Sequence, residues 1–223
     1  MLHLTSKFTN LFYLDRINSM KMALFLFIFT GTVCGCAYES NYEREVKKIS
    51  DEAVKGCVIT EDKVRALRHF VHQKMKFPEP PIKPDGKEIM PEDIYPLNTM
   101  ERLNSGYGGF CDQQVDVFMH LAQKQGVATR KIFLWVERNG KITSPHTIAE
   151  ALDGKRWVIV DPLYDLELCN KEGKMASRLD IANNTSILTS NPKVQELITK
   201  DPDFFHNYTT DMATVEKYSR GRF

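Results

Sequence analysis

Two glycine-containing dipeptides, Asn139-Gly140 and Asp153-Gly154, divide the middle of this chain into short apolar segments. Asn-Gly and Asp-Gly between apolar runs are strong local signals for the tight turns of β-hairpins. The segments between them are rich in β-branched and aromatic residues, and Pro162 closes the last one. The pattern therefore predicts an antiparallel meander of three strands, with the sequences KIFLWVE, ITSPHTIAEA and RWVIVD.

A helix is predicted directly before the meander, beginning at Cys111. Val115, Phe118 and Ala122 recur with Cys111 at helical spacing and form one stripe. Gly126 follows the last periodic residue and suits the left-handed position that ends many helices. A helix followed by an antiparallel meander predicts the α+β fold class, with the helix packed on the sheet.

The glycine-rich sequence SGYGGF leads into Cys111 and places its thiol at the start of that helix. Free N–H groups and the positive end of the helix dipole lower the pKa of a thiol in this position. The glycines allow a sharp turn and a close approach of a substrate chain. Taken alone, the feature fits a nucleophile and a buried structural cysteine equally well, because free cysteines are among the most buried residues.

The second hairpin supplies a candidate base for this thiol. With Asp153-Gly154 as the two turn residues, His146 and Asp161 would lie directly opposite each other, with Cβ atoms roughly 5 Å apart. An imidazole oriented by a carboxylate is the base that nucleophilic catalysis by a thiol requires. The pairing depends on register, because one extra loop residue would place Asp161 opposite Thr147 instead.

The strand face that holds His146 is expected to pack against the helix that begins at Cys111. Alternate residues of a strand share a face. The other side chains on this face are Ile148, Glu150, Trp157 and Ile159. Their burial against the helix would bring the thiol to the His146–Asp161 pair.

These residues resemble the transglutaminase-like superfamily of papain-like cysteine enzymes. The resemblance rests on GFCDQQVDVFMHLAQKQGVATRKIFLWVE and SPHTIAEALDGKRWVIVDPLYDL and extends from about Thr60 to Leu168. It implies a papain-like fold with Cys111 as nucleophile, His146 as general base and acid, and Asp161 as the group that orients the imidazole. Family members often read His-Ala-Trp where this chain reads His-Thr-Ile, which leaves substrate preference open.

The resemblance also implies an oxyanion hole, which would stabilise the charged intermediate of acyl transfer. The backbone N–H of Cys111 is its expected first donor. Asn104 and Tyr107 are the candidates for the second.

The first 35 residues are predicted to be a signal or leader, with the true start at Met20 or Met22. The sequence MKMALFLFIFTGTVCGC has a charged start, a short apolar run and small residues at its end. The ending VCGC resembles a bacterial lipobox with Cys36 as the lipidated residue. The chain is thus expected to be exported and anchored in the bacterial cell envelope, although a plain cleaved signal or an uncleaved anchor fits the same pattern.

Residues 36–59 are interpreted as a membrane-proximal segment with an exposed charged helix, and residues 60–223 as the transglutaminase-like domain. Six prolines between residues 77 and 98 predict an ordered loop without helix or central strand. His69 and His72 are interpreted as a solvated helix edge, since zinc sites need three or four ligands. The C-terminal tail is predicted to hold a short helix and to carry no recognisable chemistry.

The sequence therefore favours an exported thiol enzyme that acts on an amide bond of a peptide or protein: a peptidase, amidase, deamidase or transamidase. No cofactor and no metal are expected, and the formal charge of +1 without a long basic stripe excludes a nucleic-acid surface. The alternatives are a non-enzymatic envelope binding module and, less favoured, a zinc site formed by the same three residues. A disulfide between Cys57 and Cys169 would leave Cys111 free, and the sequence does not decide whether it forms.

Overall fold

The computed structural model describes residues 40–76, 78, 80–201, 204 and 208, with the backbone alone for 136–138 and 142–145. The predicted leader and the lipidation residue Cys36 lie outside the described residues. Within the described part, no helix is long and apolar enough to cross a membrane.

Eight helices and three strands are described, and their order confirms the predicted α+β class. The N-terminal helices are α1 (Asn41–Ala53), α2 (Thr60–Lys74), α3 (Pro91–Ile94), α4 (Thr99–Ser105) and α5 (Cys111–Lys124). The sheet follows as β1 (Thr129–Arg138), β2 (Lys141–Asp153) and β3 (Arg156–Val160). The C-terminal helices are α6 (Arg178–Asn183), α7 (Ser186–Thr189) and α8 (Pro192–Lys200).

The sheet is the predicted antiparallel meander, with strand order β1-β2-β3. The first hairpin turns at Asn139-Gly140, where both residues have positive φ (53° and 71°), as a type I′ turn requires. The register of β1 and β2 shifts between the pairs Leu134–His146 and Val136–Thr143. Pro145 lies in the irregular stretch, and a proline has no N–H for a regular ladder. The shift therefore falls directly beside His146.

The second hairpin differs from its predicted register. Asp153 pairs with Arg156, so the two turn residues are Gly154 and Lys155. Gly154 has φ 61°, and a glycine at the first turn position is typical of a type II′ turn. The prediction that His146 lies directly opposite Asp161 is therefore wrong, because continuing the observed register would place Asp161 beside Ile148 instead.

The sheet separates two hydrophobic cores, and the predicted packing face is also wrong. Small and β-branched residues of β2 and β3 (Ala149, Ala151, Val158 and Val160) form the first core with α1, α2 and α5. Ile148 and Ile159, which were expected to pack against α5, belong to the second core with the C-terminal helices. Methyl-sized alanine side chains let α5 lie close to the sheet, and the larger isoleucines fill the other side.

The N-terminal helix α1 belongs to the first core and does not form the exposed helix that was predicted. Val46 is fully buried, and the hydroxyl of Ser50, also fully buried, donates to the carbonyl of Leu121 at 2.8 Å. The apolar residues of α1 are few, but they fall on one face.

The proline-rich segment forms a loop with one helical turn, α3, that the prediction excluded. Pro91 is the first residue of this turn, where a proline loses no helical hydrogen bond. Ile89 and Ile94 of the segment are buried, as the ordered-loop prediction requires.

Candidate active site

Cys111 is the first residue of α5, and the backbone before it is fixed by two glutamines of the same helix. The N–H of Phe110 donates to the side-chain oxygen of Gln113 at 2.8 Å. The side-chain amide of Gln114 donates to the carbonyls of Gly109 (2.7 Å) and Met75 (3.2 Å). Both glutamines are buried, so the approach to the thiol is rigidly held while Cys111 itself stays partly exposed.

His146 lies on β2 beside the register shift, and its side chain bridges the thiol and a carboxylate. Its Nε2 atom is 2.8 Å from Oδ2 of Asp161, which leaves Nδ1 for the other side of the ring. The imidazole also interacts with the Cys111 thiol, and this interaction and that of the Thr147 backbone lower the pKa of the thiol. The structure therefore brings together the three residues that the sequence singled out.

Asp161 follows the end of β3, and its carboxylate is completely buried. Oδ1 accepts the backbone N–H of Tyr164 at 3.1 Å. Oδ2 accepts both His146 and the hydroxyl of Tyr208, the latter at 2.5 Å. A buried carboxylate is costly without donors, and here three donors compensate for its lost hydration.

The electrostatics of the site favour a charged thiol–imidazole pair. Burial alone would lower the pKa of His146, but the charge and hydrogen bond of Asp161 raise that pKa to about 10. Burial likewise opposes ionisation of Cys111, yet the hydrogen bond and charge of His146 hold the pKa of the thiol below its ordinary value. Asp161 has a lowered pKa despite its burial, because His146, Tyr208 and the Tyr164 N–H stabilise its charge.

Helix α2 holds the loop that carries Asp161. The nearly buried Arg68 binds the Asp165 carboxylate at 2.7 Å, and Nδ1 of His69 is 2.8 Å from the same group. Nδ1 of His72 lies 3.1 Å and 3.0 Å from the carbonyl oxygens of residues 162 and 163. The side chain of His69 is 59% exposed, as a solvated helix edge requires, and His72 is half-buried; both histidines also help to hold the loop.

Aromatic rings from the C-terminal half surround the imidazole, and the sequence prediction missed them. The ring centroids of Tyr164 and Phe204 lie 5.2 and 6.1 Å from that of His146, and Tyr208 lies 6.5 Å away. Phe204 and Tyr208 belong to the tail, in which the sequence showed no recognisable chemistry, and the structure places both beside the site. Their spacing of four residues was the only available signal, and it does not point to a partner.

The second oxyanion donor stays a prediction. Asn104 is exposed, and the backbone N–H of Tyr107 donates to Ser105 at 3.1 Å. Near the nucleophile, the interaction of the Tyr95 hydroxyl with Asp112 raises the pKa of Tyr95.

The other two described cysteines, Cys57 and Cys169, carry free thiols, so the disulfide between them is not formed. Among the described residues, no group of three or more histidine, cysteine or acidic side chains has the arrangement of a metal site.

Comparison with known proteins gives one family match. The model of the transglutaminase-like superfamily matches residues 47–162, just over half of the chain, and this range includes Cys111, His146 and Asp161. No curated protein matches the sequence. Among solved structures, that of a putative cysteine protease from Cytophaga hutchinsonii is similar over 66% of this chain, with 16% identity and a TM-score of 0.39. The match covers 47% of that protein, so this chain spans about half of its length.

Proposed function

The chain belongs to the transglutaminase-like superfamily, and from this premise we propose that it is a cysteine enzyme acting on amide bonds of a peptide or protein. Cys111 is the nucleophile, His146 the general base and acid, and Asp161 the group that orients His146. The observation that carries the proposal is the position of His146, whose nearly buried ring interacts with the thiol and lies 2.8 Å from a fully buried carboxylate.

The chemistry follows from the charges of the pair. The Cys111 thiolate attacks the carbonyl carbon of the amide, and the charged oxygen that forms is stabilised by backbone N–H groups at the start of α5. The C–N bond then breaks while His146 gives its proton to the leaving amine, and an acyl-thioester remains on Cys111. In the second half, His146 takes a proton from water, the resulting hydroxide attacks the thioester, and the acid and the thiolate are released.

An amine can replace water in the second half, and the product is then a new amide. Peptidase, amidase, deamidase and transamidase activities share this acyl-enzyme and differ only in the group that leaves and the group that enters. The proposal therefore covers a thiol hydrolase or acyltransferase, with the acyl-enzyme as its defining species.

Trapping the acyl-enzyme tests the proposal directly. Purified protein is mixed with a peptide library at neutral pH, quenched in acid within milliseconds to seconds, and analysed by intact and peptide-level mass spectrometry. A mass increase on Cys111 that is absent from Cys111→Ala and retained in Cys57→Ala supports the enzyme. Turnover of an amide substrate by Cys111→Ala would contradict it.

We also propose that the enzyme is exported and held at the bacterial envelope by a lipid on Cys36. The support is the sequence alone: a lysine, the apolar run from Ala23 to Phe29, and Val33 and Gly35 before the cysteine. The mature N-terminus should be a lipid-modified Cys36, and Cys36→Ala should abolish partition into detergent. A mature N-terminus beyond residue 36 would exclude this anchor.

A further inference from the structure

Tyr208 reaches the active site from a part of the chain that lies well beyond the family match, which ends at residue 162. Its side chain is 5% exposed, and its hydroxyl donates to Oδ2 of Asp161 at 2.5 Å. The same oxygen accepts Nε2 of His146 at 2.8 Å. The phenol and the imidazole therefore share one acceptor atom inside the site.

The contacts around Tyr208 fix the position of its hydroxyl. Its ring packs on Phe204 with centroids 5.4 Å apart, and Phe204 meets Tyr164 edge to face at 5.2 Å. A phenylalanine could fill this aromatic cluster equally well. A buried hydroxyl is costly unless it is hydrogen-bonded, so the phenol is specific to the carboxylate that it meets.

We propose that Tyr208 is a positioning residue for the reaction: its hydroxyl holds the Asp161 carboxylate in the orientation that aligns His146 with Cys111, so that the C-terminal segment completes the active site. The inference rests on the proposed function. The Tyr164 N–H holds Oδ1 and the Tyr208 hydroxyl holds Oδ2, which stops rotation of the carboxylate and leaves one direction for the imidazole.

The hydroxyl also acts on the charges of the site. The ionisable groups that face Asp161 in the described part of the chain are His146, Tyr208 and Tyr164, and those that act on the Cys111 thiol include His146 and its neighbour Asp112. The partial positive charge of the hydroxyl proton stabilises negative charge nearby. It therefore favours the thiolate form of Cys111 over the neutral thiol. Removing that proton should therefore move the ionisation of Cys111 to higher pH.

The test measures the rate at which iodoacetamide alkylates Cys111 between pH 4 and 10, which needs no substrate. In the plot of alkylation rate against pH, we expect Tyr208→Phe to move the rising acid limb up by roughly half a pH unit. The plateau rate at higher pH should fall about three- to tenfold. The matched control is Tyr42→Phe on α1, where the lost hydroxyl accepts the N–H of Thr99 at 3.3 Å. This control should leave both quantities unchanged.

A second variant covers the case in which Tyr208→Phe does not fold. Replacing Tyr208 by 3-fluorotyrosine keeps the shape of the side chain and makes its hydroxyl a stronger hydrogen-bond donor. The acid limb of the alkylation profile should therefore move to lower pH. Overlapping profiles for wild type, Tyr208→Phe and the fluorotyrosine protein would overturn the role of Tyr208. If wild-type Cys111 were instead no more reactive than Cys57 below pH 8, the proposed function itself would fail.

Discussion

Replacing Asp161 by asparagine removes the charge at the buried end of the site and keeps the size of the side chain. The carboxylate accepts three hydrogen bonds, from His146, Tyr208 and the Tyr164 N–H. An amide offers only one acceptor oxygen and adds two donors. If the NH2 group replaces Oδ1, it faces the Tyr164 N–H, which is also a donor. If it replaces Oδ2, it faces the Tyr208 hydroxyl and requires the opposite tautomer of the His146 imidazole.

The size of the effect follows from the same contacts. A hydrogen bond to a charged group contributes about 1.5–3 kcal/mol, which corresponds to a rate factor of roughly 10 to 150 at 1.36 kcal/mol per decade. Asp161 also raises the pKa of the buried His146 to about 10, and without that charge burial lowers it. Because the imidazolium and the Cys111 thiolate then disappear together at pH 7, we expect a total loss of about 100- to 1,000-fold.

The assay follows both the turnover of any trapped amide substrate and the rate of Cys111 alkylation, with circular dichroism to check the fold. Asp116→Asn is the matched control, because Asp116 lies on α5 with 44% of its side chain exposed and is paired with Lys131. The control should keep wild-type activity. A folded Asp161→Asn protein with undiminished turnover would refute the role of the carboxylate.

Three further outcomes are expected. In peptide mapping after limited iodoacetamide treatment, Cys111 should be labelled before Cys57 and Cys169, since burial and Glu167 raise the pKa of Cys169; earlier labelling of either thiol would contradict the site. Protonated His146 stabilises the fold fully below its unfolded pKa of about 6.5, so the free energy of unfolding in urea should fall as pH rises from 6.5 towards 10, and less so in Asp161→Asn. Glu150→Ala leaves two arginines without their buried partner and should cost about 3–5 kcal/mol in urea unfolding, whereas an unchanged midpoint would show that the pair is neutral.

The contact between His146 and Asp161 was predicted from a register that proved wrong. The two residues are displaced by two positions from direct opposition, because the turn uses Gly154 and Lys155. A displacement of two positions keeps both residues on the same strand face, since side chains alternate with a period of two. The prediction that the two residues lie close together is therefore correct. Asp161 begins the loop after β3, which Arg68 holds in place through Asp165.

The local signals in the sequence were sufficient for the hairpins and for α5, but not for the choice between the two faces of the sheet. Both faces of β2 are apolar, with Ile148 on one and Ala149 on the other, so alternation could not show which one meets the helix. Tyr208 was missed for a different reason. Its hydrogen bond to Asp161 spans 47 positions of sequence, and no periodicity within the tail specifies such a partner.

In the proposed reaction, the exposure of the three site residues decides the side from which a substrate can reach the thiol. Asp161 is completely buried, His146 is 4% exposed, and Cys111 is only partly covered. The rings of Phe204 and Tyr208 lie beside the imidazole, with centroids 6.1 and 6.5 Å from it, and the partly exposed thiol is the accessible member of the three. In the proposed reaction, a carbonyl carbon that reaches the sulfur would approach over the start of α5, near Tyr95, which is 54% exposed. The burial that keeps the His146–Asp161 pair from bulk solvent also strengthens its electrostatic interaction with the proposed Cys111 thiolate.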